Sequence, residues 1–317
     1  MTSIQSNLYF CGEVVADLLE SVPQSGQFDL LLGGSQFHGA IGASRAVAEN
    51  KMNVQIAFVG QISEDTFGQR FIQKFHECGV DTSSIKRTPK NTTLAIVSMR
   101  PGHENQFSFY GRDTAEQMLY PLDLPKSLPR VERKICYFGS VSTVMEPAGQ
   151  TWLDFAKLQS RDGLVMYDLN TRPKLIADRA QYQERVKQWA ATAHVVKASD
   201  ADIAWAYPNA TAQEVAQIWL SAGAKMAVIT QGPQGALAFT RKTQQVVYDV
   251  PLYATNTVGA GDNFNAGLAL GLVNQSCFTP MDIESLNDEK LRLVIQSANQ
   301  TAANHLKRLG AKLAAAA

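Results

Sequence analysis

From Lys134 onward, short apolar runs alternate with stretches of helical period. This is the pattern of βαβ units, whose mainly parallel strands are buried on both faces. KICYFGS, GLVMYDLN, AHVVKAS and KMAVIT read as strands. Between the last two, Thr211 with Glu214 three residues on forms a capping box. Val215, Ile218, Trp219 and Ala222 supply the apolar stripe of that helix, and Gly223 suits its C′ position. Nearer the N-terminus, Phe67, Phe71, Ile72 and Phe75 recur at helical spacing within Glu64 to Cys78. Acidic residues mark the first turn and Gly79 follows the end, so the spacing predicts a core-facing helix.

A different texture lies between Thr92 and Gly111, where TTLAIVSMR and NQFSFYG flank Pro101-Gly102-His103-Glu104. Phe107 and Phe109 alternate with polar neighbours, which predicts a β-hairpin with one covered face. Such a hairpin does not fit a doubly wound sheet. It is expected in a small accessory sheet shared with VVADLLES and FDLLLGG, and the alanine-rich segment 311–317 is expected to be a frayed end.

At 317 residues the chain has length for one large α/β domain or two smaller ones. With 45% hydrophobic and 18% charged residues, it is an ordinary globular sequence and excludes a disordered or collagen-like chain. Lys plus Arg (29) equals Asp plus Glu (29), so the broad field that nucleic-acid and anionic-membrane binders use is missing. Cys11, Cys78, Cys136 and Cys277 are scattered, with neither a zinc-type cluster nor a disulfide framework. The N-terminus has no signal-peptide pattern, and nowhere do ~18 apolar residues run together. A soluble cytoplasmic protein with free thiols, binding neither nucleic acid nor membrane, is expected.

The segment Thr255-Asn256-Thr257-Val258-Gly259-Ala260-Gly261-Asp262-Asn263-Phe264 precedes the apolar helical run NAGLALGLV. Small residues before a helix let backbone N–H groups approach a ligand, and the helix N-terminus favours an anion. Asp262 is anomalous there, because a carboxylate repels phosphate. A base that takes the proton of a hydroxyl attacking that phosphate has reason to stand in this place. The alternative is a tight turn with Asp262 as helix cap. The segment matches neither G-x-x-x-x-G-K-[ST] nor G-x-G-x-x-G.

Asn256 through Gly267, N-T-V-G-A-G-D-N-F-N-A-G, resembles the C-terminal signature of the ribokinase-like, or PfkB-type, carbohydrate kinases. The resemblance continues through Gly12-Glu13-Val14-Val15-Ala16-Asp17, Gly33-Gly34, FVGQISEDTFGQRF, CGVDTSSI, Asp168-Leu169-Asn170-Thr171-Arg172-Pro173, Thr230-Gln231-Gly232-Pro233-Gln234-Gly235 and Ala298-Asn299. Among members, the D-x-N-x-R-P and KASDAD stretches look most like fructokinases and 2-keto-3-deoxygluconate kinases. The resemblance implies one ribokinase-like α/β three-layer domain over residues 1–317. Its small β-sheet lid, within about 12–34 and 92–111, would close over the sugar and serve as a homodimer face.

It also implies roles. Asp262 would be the catalytic base, with Gly259, Ala260 and Gly261 as the anion hole. Asp17, Gly33 and Gly34 would line the sugar site, with Asn170 supporting Arg172 and Arg172 reaching the phosphates or an anionic substrate group. Thr230, Gly232, Gly235 and Asn299 would border ATP, and Ser199 and Asp202 would hold Mg²⁺ through water. Four positions depart from the family pattern. His38 stands where an Asn would touch a sugar hydroxyl, and Ser199 and Asp202 replace the Asn and Glu of N-x-x-E. Asn256 replaces an Asp tied to a monovalent-cation site. Arg112 lies near a position where related kinases carry a substrate-facing arginine. The implied function is an ATP-dependent sugar kinase acting on a primary hydroxyl, with fructose favoured. The alternatives are a 2-keto-3-deoxygluconate kinase, in which Arg172 and Arg112 together hold a carboxylate, then a nucleoside kinase, then a non-catalytic sugar or nucleotide sensor.

Overall fold

Side chains along β1 (Ser6–Cys11) divide between two cores: Leu8 and Phe10 pack on one face, Tyr9 and Cys11 on the other. That is the period-2 geometry of a strand covered on both sides. The computed structural model describes residues 5–22, 25–98, 106–129, 133–242, 244–247 and 257–316. After β1, the chain forms β2 (Val15–Glu20), β3 (Phe28–Gly33), β4 (Val54–Ser63), β5 (Asp81–Thr88), β6 (Leu94–Ser98) and β7 (Gln106–Tyr110). There follow β8 (Lys134–Gly139), β9 (Leu164–Asp168), β10 (Val195–Ser199), β11 (Met226–Thr230), β12 (Ala236–Thr240) and β13 (Gln244–Val247).

The large sheet has nine strands in the order β13-β12-β11-β10-β9-β8-β1-β4-β5. Pairing is parallel from β11 to β5, and β12 and β13 add an antiparallel edge. The Leu8/Phe10 face is covered by α1 (Ser35–Glu49), α2 (Thr66–Glu77), α7 (Ala260–Asn274), α8 (Pro280–Glu284) and α9 (Asp288–Ala316). The opposite face is covered by α3 (Ala148–Gln159), α4 (Arg179–Thr192), α5 (Asp200–Ala206) and α6 (Ala212–Ala222). Aromatic side chains anchor both layers: Phe37 meets Phe71 and Phe75 edge-on at 5.0 and 5.3 Å, and Tyr167 stacks on Trp189 at 4.6 Å. The result is the expected mainly parallel α/β sandwich. Among the described residues, no helix is long and apolar enough to cross a membrane.

The remaining strands form a separate four-stranded sheet, β3-β2-β6-β7. β6 and β7 pair antiparallel with Ala95 opposite Phe109, and β2 joins β6 in parallel. The expected turn at Pro101 to Glu104 lies outside the described residues, as do Thr255 and Asn256.

The structure departs from the sequence pattern at three places. α2 begins at Thr66, so the acidic pair precedes it: Asp65 is the N-cap and accepts from Gly68 N at 2.8 Å. α6 has the expected capping box, but Ile218 is exposed, and Ala216 and Leu220 join Val215 and Trp219 in the core. At 3.6 residues per turn Ile218 lies roughly 130° from the centre of that face. The alanine tail is helical through Ala316 rather than frayed, consistent with alanine's high helix propensity.

The order reverses around β1, which has β8 on one side and β4 on the other. In open α/β sheets the crevice at the carboxyl ends of such strands is where ligands bind.

Candidate active site

The segment rich in small residues makes a turn that only its composition allows. Gly259 is the N-cap of α7 and takes φ +75°, a left-handed conformation open to glycine. Gly261 is exposed in the first turn, and Asp262 beside it is buried. The helix-cap alternative fails, because the cap is a glycine and, among the described residues, no side chain caps α7. Instead, Asp262 Oδ1 accepts a 2.6 Å hydrogen bond from Ser35 Oγ, at the start of α1. Burial raises the Asp262 pKa above the ordinary carboxylate value. The Ser35 bond and the positive charges of Lys197, Arg172 and His305 oppose that rise.

Beneath this turn runs a buried polar network for which the sequence reading assigned no roles. Parallel register sets Lys197 on β10 opposite Asp168 on β9, and Lys197 Nζ donates to Asp168 Oδ2 at 3.0 Å. A Cβ built on Gly261 would lie 3.6 Å from the same ammonium. Asn265 Nδ2, one helical turn after Asp262, donates to Asp168 Oδ2 at 2.7 Å and to the Tyr137 hydroxyl at 2.9 Å. Tyr137 OH is 3.2 Å from Ser35 Oγ, which closes the circuit to Asp262. The Lys197 pKa is nevertheless raised: desolvation pulls it down, but Asp168, Asp202 and Asp262 outweigh that. A lysine inside the apolar strand AHVVKAS was the available signal, since lysine is almost never fully buried unless paired.

Asp17 lies on β2 of the small sheet and is half-buried. Burial pushes its pKa up to about 6, and the Arg172 charge acts against the rise. Arg172 also acts on Asp262, so one guanidinium charge is felt by both carboxylates. Gly33 ends β3 against Asp17, and Gly34 is the N-cap of α1 at φ +104°. A Cβ on Gly34 would come within 2.7 Å of the Glu13 carbonyl oxygen and 2.9 Å of Val14 Cα, both fixed backbone. Gly34→Ala is therefore expected to destabilise the protein by about 2–3 kcal/mol, read from the midpoint of urea unfolding at unchanged slope.

The remaining expected residues are distributed unevenly. Arg172 is exposed and its Nη1 donates to Asn170 O at 2.9 Å and Asn170 Oδ1 at 2.6 Å, so Asn170, at φ +39°, does brace it. Arg112 is exposed. His38 is half-buried, with the charges of Arg45 and His305 as its neighbours. Burial and then Arg45 pull its pKa down to about 4, so its imidazole is neutral at pH 7.

Ser199 and Asp202 form a reciprocal capping box on α5. Asp202 Oδ2 accepts from Ser199 N and Oγ at 2.8 and 2.7 Å, and Oδ1 accepts from Thr171 N at 2.7 Å. With about four acceptor sites on a carboxylate, three are used within the protein. Among the described residues no cluster of three or more His, Cys, Asp or Glu could by itself hold a metal ion.

Thr230 pairs with Ser199 across β10 and β11, and the turn Gly232–Gln234 and Gly235 follow at that same strand end. A Cβ on Gly232 would meet nothing within 4 Å, so the turn is open. Asn299 sits on α9 with its Nδ2 buried and, among the described residues, without a hydrogen-bond partner. His305, on the same helix, reaches the Gly259 turn, with Nε2 2.8 Å from Val258 O. Nothing local in the sequence marked His305.

Comparison with known proteins shows the family and the fold. The family model described as pfkB family carbohydrate kinase matches residues 7–316. A fructokinase of Rhizobium leguminosarum bv. trifolii is 31% identical over 284 residues, covering 89% of this chain and 84% of the relative. The fructokinase of Vibrio cholerae O395, solved with fructose, ADP and calcium ion bound, superposes with a TM-score of 0.78 at 22% identity, over 94% of this chain and 92% of that one. Aminoimidazole riboside kinase of Salmonella enterica superposes at 0.79 and 22% identity, over 95% and 93%. At those identities the two structures establish the ribokinase-like fold. The family match spans nearly the whole chain, and with it the chain belongs to the pfkB family of carbohydrate kinases.

Proposed function

We propose that this protein is an ATP-dependent sugar kinase that phosphorylates a primary hydroxyl, with fructose the favoured acceptor. The observation that carries the reading is the buried Asp262 carboxylate one residue beyond the exposed backbone of Gly261, with Lys197 beneath. Asp262 takes the proton as the sugar oxygen attacks the γ-phosphorus. The N–H groups of Gly259 and Gly261 meet the charge on the transferring group, as a preorganised anion hole does; Ala260 N, expected with them, donates instead to Thr257 O at 3.1 Å. Asp17 accepts hydrogen bonds from sugar hydroxyls, while Gly33 and Gly34 keep the backbone close to the sugar and His38 and Arg172 border it. Thr230, Gly232, Gly235 and Asn299 border the nucleotide, where Asn299 Nδ2, without a partner among the described residues, is a donor open to an acceptor.

Magnesium bound with the nucleotide supplies charge neutralisation of the phosphates. Asp202, with one acceptor site left, and Ser199 would meet it through water. A monovalent cation beside the anion hole remains part of this proposal, although Asn256 lies outside the described residues. The four-stranded sheet acts as a lid that excludes water, the competitor for the γ-phosphate. Phe28, Leu31 and Tyr110 on that sheet are exposed, which supports a homodimer through it. The free thiols Cys11, Cys78, Cys136 and Cys277 fit the cytoplasm.

Fructose is favoured because the Rhizobium relative is named a fructokinase. The acid-sugar alternative needs Arg112 and Arg172 on one carboxylate, and both side chains are exposed. A coupled ADP-release screen over sugars, sugar acids and nucleosides tests the reading. Fructose-dependent release supports it, whereas ligand binding without any ADP release favours the sensor.

Asp17 adds a pH dependence. Its carboxyl, raised to about 6, accepts sugar hydroxyls best when ionised. The KM for sugar is therefore expected to rise as pH falls below about 6 while that for ATP changes less, a split that steady-state kinetics between pH 5 and 8 would show.

A further inference from the structure

The direction of each hydrogen bond in the buried network can be worked out from its chemistry. Asn265 Nδ2 carries only protons, so it donates to the Tyr137 hydroxyl at 2.9 Å. Ser35 spends its single proton on Asp262 Oδ1 at 2.6 Å. The 3.2 Å contact between Ser35 Oγ and Tyr137 OH then has one consistent assignment, with Tyr137 the donor. Three donors follow one another toward a single carboxylate oxygen. All four side chains are buried, where such bonds are strong and exchange with water is suppressed. Asn265 is anchored in turn by Asp168 Oδ2 at 2.7 Å, and Asp168 by Lys197.

Resting on the kinase reading above, we infer that Ser35, held by Tyr137 and Asn265, is a positioning residue that ties down Asp262 Oδ1 and leaves Oδ2 to take the sugar proton. The step balances: the sugar O–H bond breaks and its proton goes to Oδ2. The new bond joins the sugar oxygen to phosphorus as the bond from the γ-phosphorus to the ADP oxygen breaks. Among the described residues, only Ser35 donates a side-chain hydrogen bond to this carboxylate. Without it the carboxylate could rotate about χ2, a broad torsion, and present either oxygen or neither. Sequence spacing does not reveal this pairing, since Ser35 and Asp262 are 227 residues apart.

Ser35→Ala tests the inference. A hydrogen bond to a charged group favours the charged form, so its loss raises the Asp262 pKa, and the acid limb of the kcat profile should move to higher pH. The other groups acting on Asp262 are Lys197 from β10, Arg172 after β9 and His305 from α9, and Ser35→Ala leaves them in place. We expect kcat to fall roughly ten- to a hundredfold, the effect of one charge-assisted bond, with KM values for sugar and nucleotide nearly unchanged. Tyr137→Phe removes one hydroxyl without altering the core shape and should shift the same limb in the same direction by less. It carries the test if Ser35→Ala does not fold. Asp262→Ala is assayed alongside. If Asp262→Ala is inactive while Ser35→Ala or Tyr137→Phe keeps wild-type kcat and an unmoved acid limb, the inference is overturned and the base assignment stands. If Asp262→Ala itself turns over normally, the base assignment is overturned and the inference falls with it.

Discussion

Asp262→Asn is expected to lower kcat by at least ~10²-fold, the usual contribution of a positioned general base, while nucleotide affinity stays near wild type. The amide keeps the volume of the side chain and can still accept the Ser35 bond, so the first turn of α7 should hold its shape. What the variant loses is the capacity to take a proton. Equal losses in kcat and in kcat/KM for sugar would mark an interaction made only in the transition state. The check combines steady-state kinetics with thermal stabilisation by ATP. Near-normal turnover would remove Asp262 from the chemistry.

The second large effect is on stability. Lys197 Nζ bonds Asp168 at 3.0 Å with both side chains almost fully buried, and the charges of Asp202 and Asp262 also face it. Lys197→Met retains much of the apolar stem but leaves buried carboxylates without their cation. Breaking one side of such a pair costs about 3–5 kcal/mol. Asp168 already has a pKa raised by burial, and Lys197 is the first influence opposing that rise. Without Lys197 its pKa climbs further, so Asp168 takes up a proton more readily at low pH and sheds the penalty. Urea unfolding should therefore show a larger deficit for Lys197→Met at pH 8 than at pH 5. The double variant with Asp168→Asn should recover part of the loss, which non-additivity between contacting residues would register. A deficit independent of pH and of Asp168 would contradict the charge-balance account.

What the sequence made legible follows from how far apart the cooperating residues stand. The Gly259–Asp262 segment is contiguous, and its small residues and carboxylate announce a helix start able to meet an anion. The structure provides that turn, with Gly259 at φ +75°. Strands β8 to β11 were legible because sheet burial on both faces forces continuous apolar runs. The network around Asp262 was not, because it joins α1, β8, β9, β10 and α7, and only the strand order brings them to one crevice. Asn265 and Asp168 are 97 positions apart, Asn265 and Tyr137 128. Asp202 shows both cases. The family resemblance implies a metal role through water, and the structure adds bonds that sequence spacing does not show: Ser199 N and Oγ and Thr171 N together occupy three of its acceptor sites.

The account rests on phosphorus passing from ATP to a sugar oxygen at the mouth of α7. Incubating the protein with Mg²⁺, ATP and fructose and following ³¹P NMR tests this directly. The predicted result is a growing sugar phosphomonoester signal, matched by ADP and absent when fructose is omitted. Fructose-independent release of inorganic phosphate, or an unchanged ATP spectrum across the whole sugar panel, would contradict it.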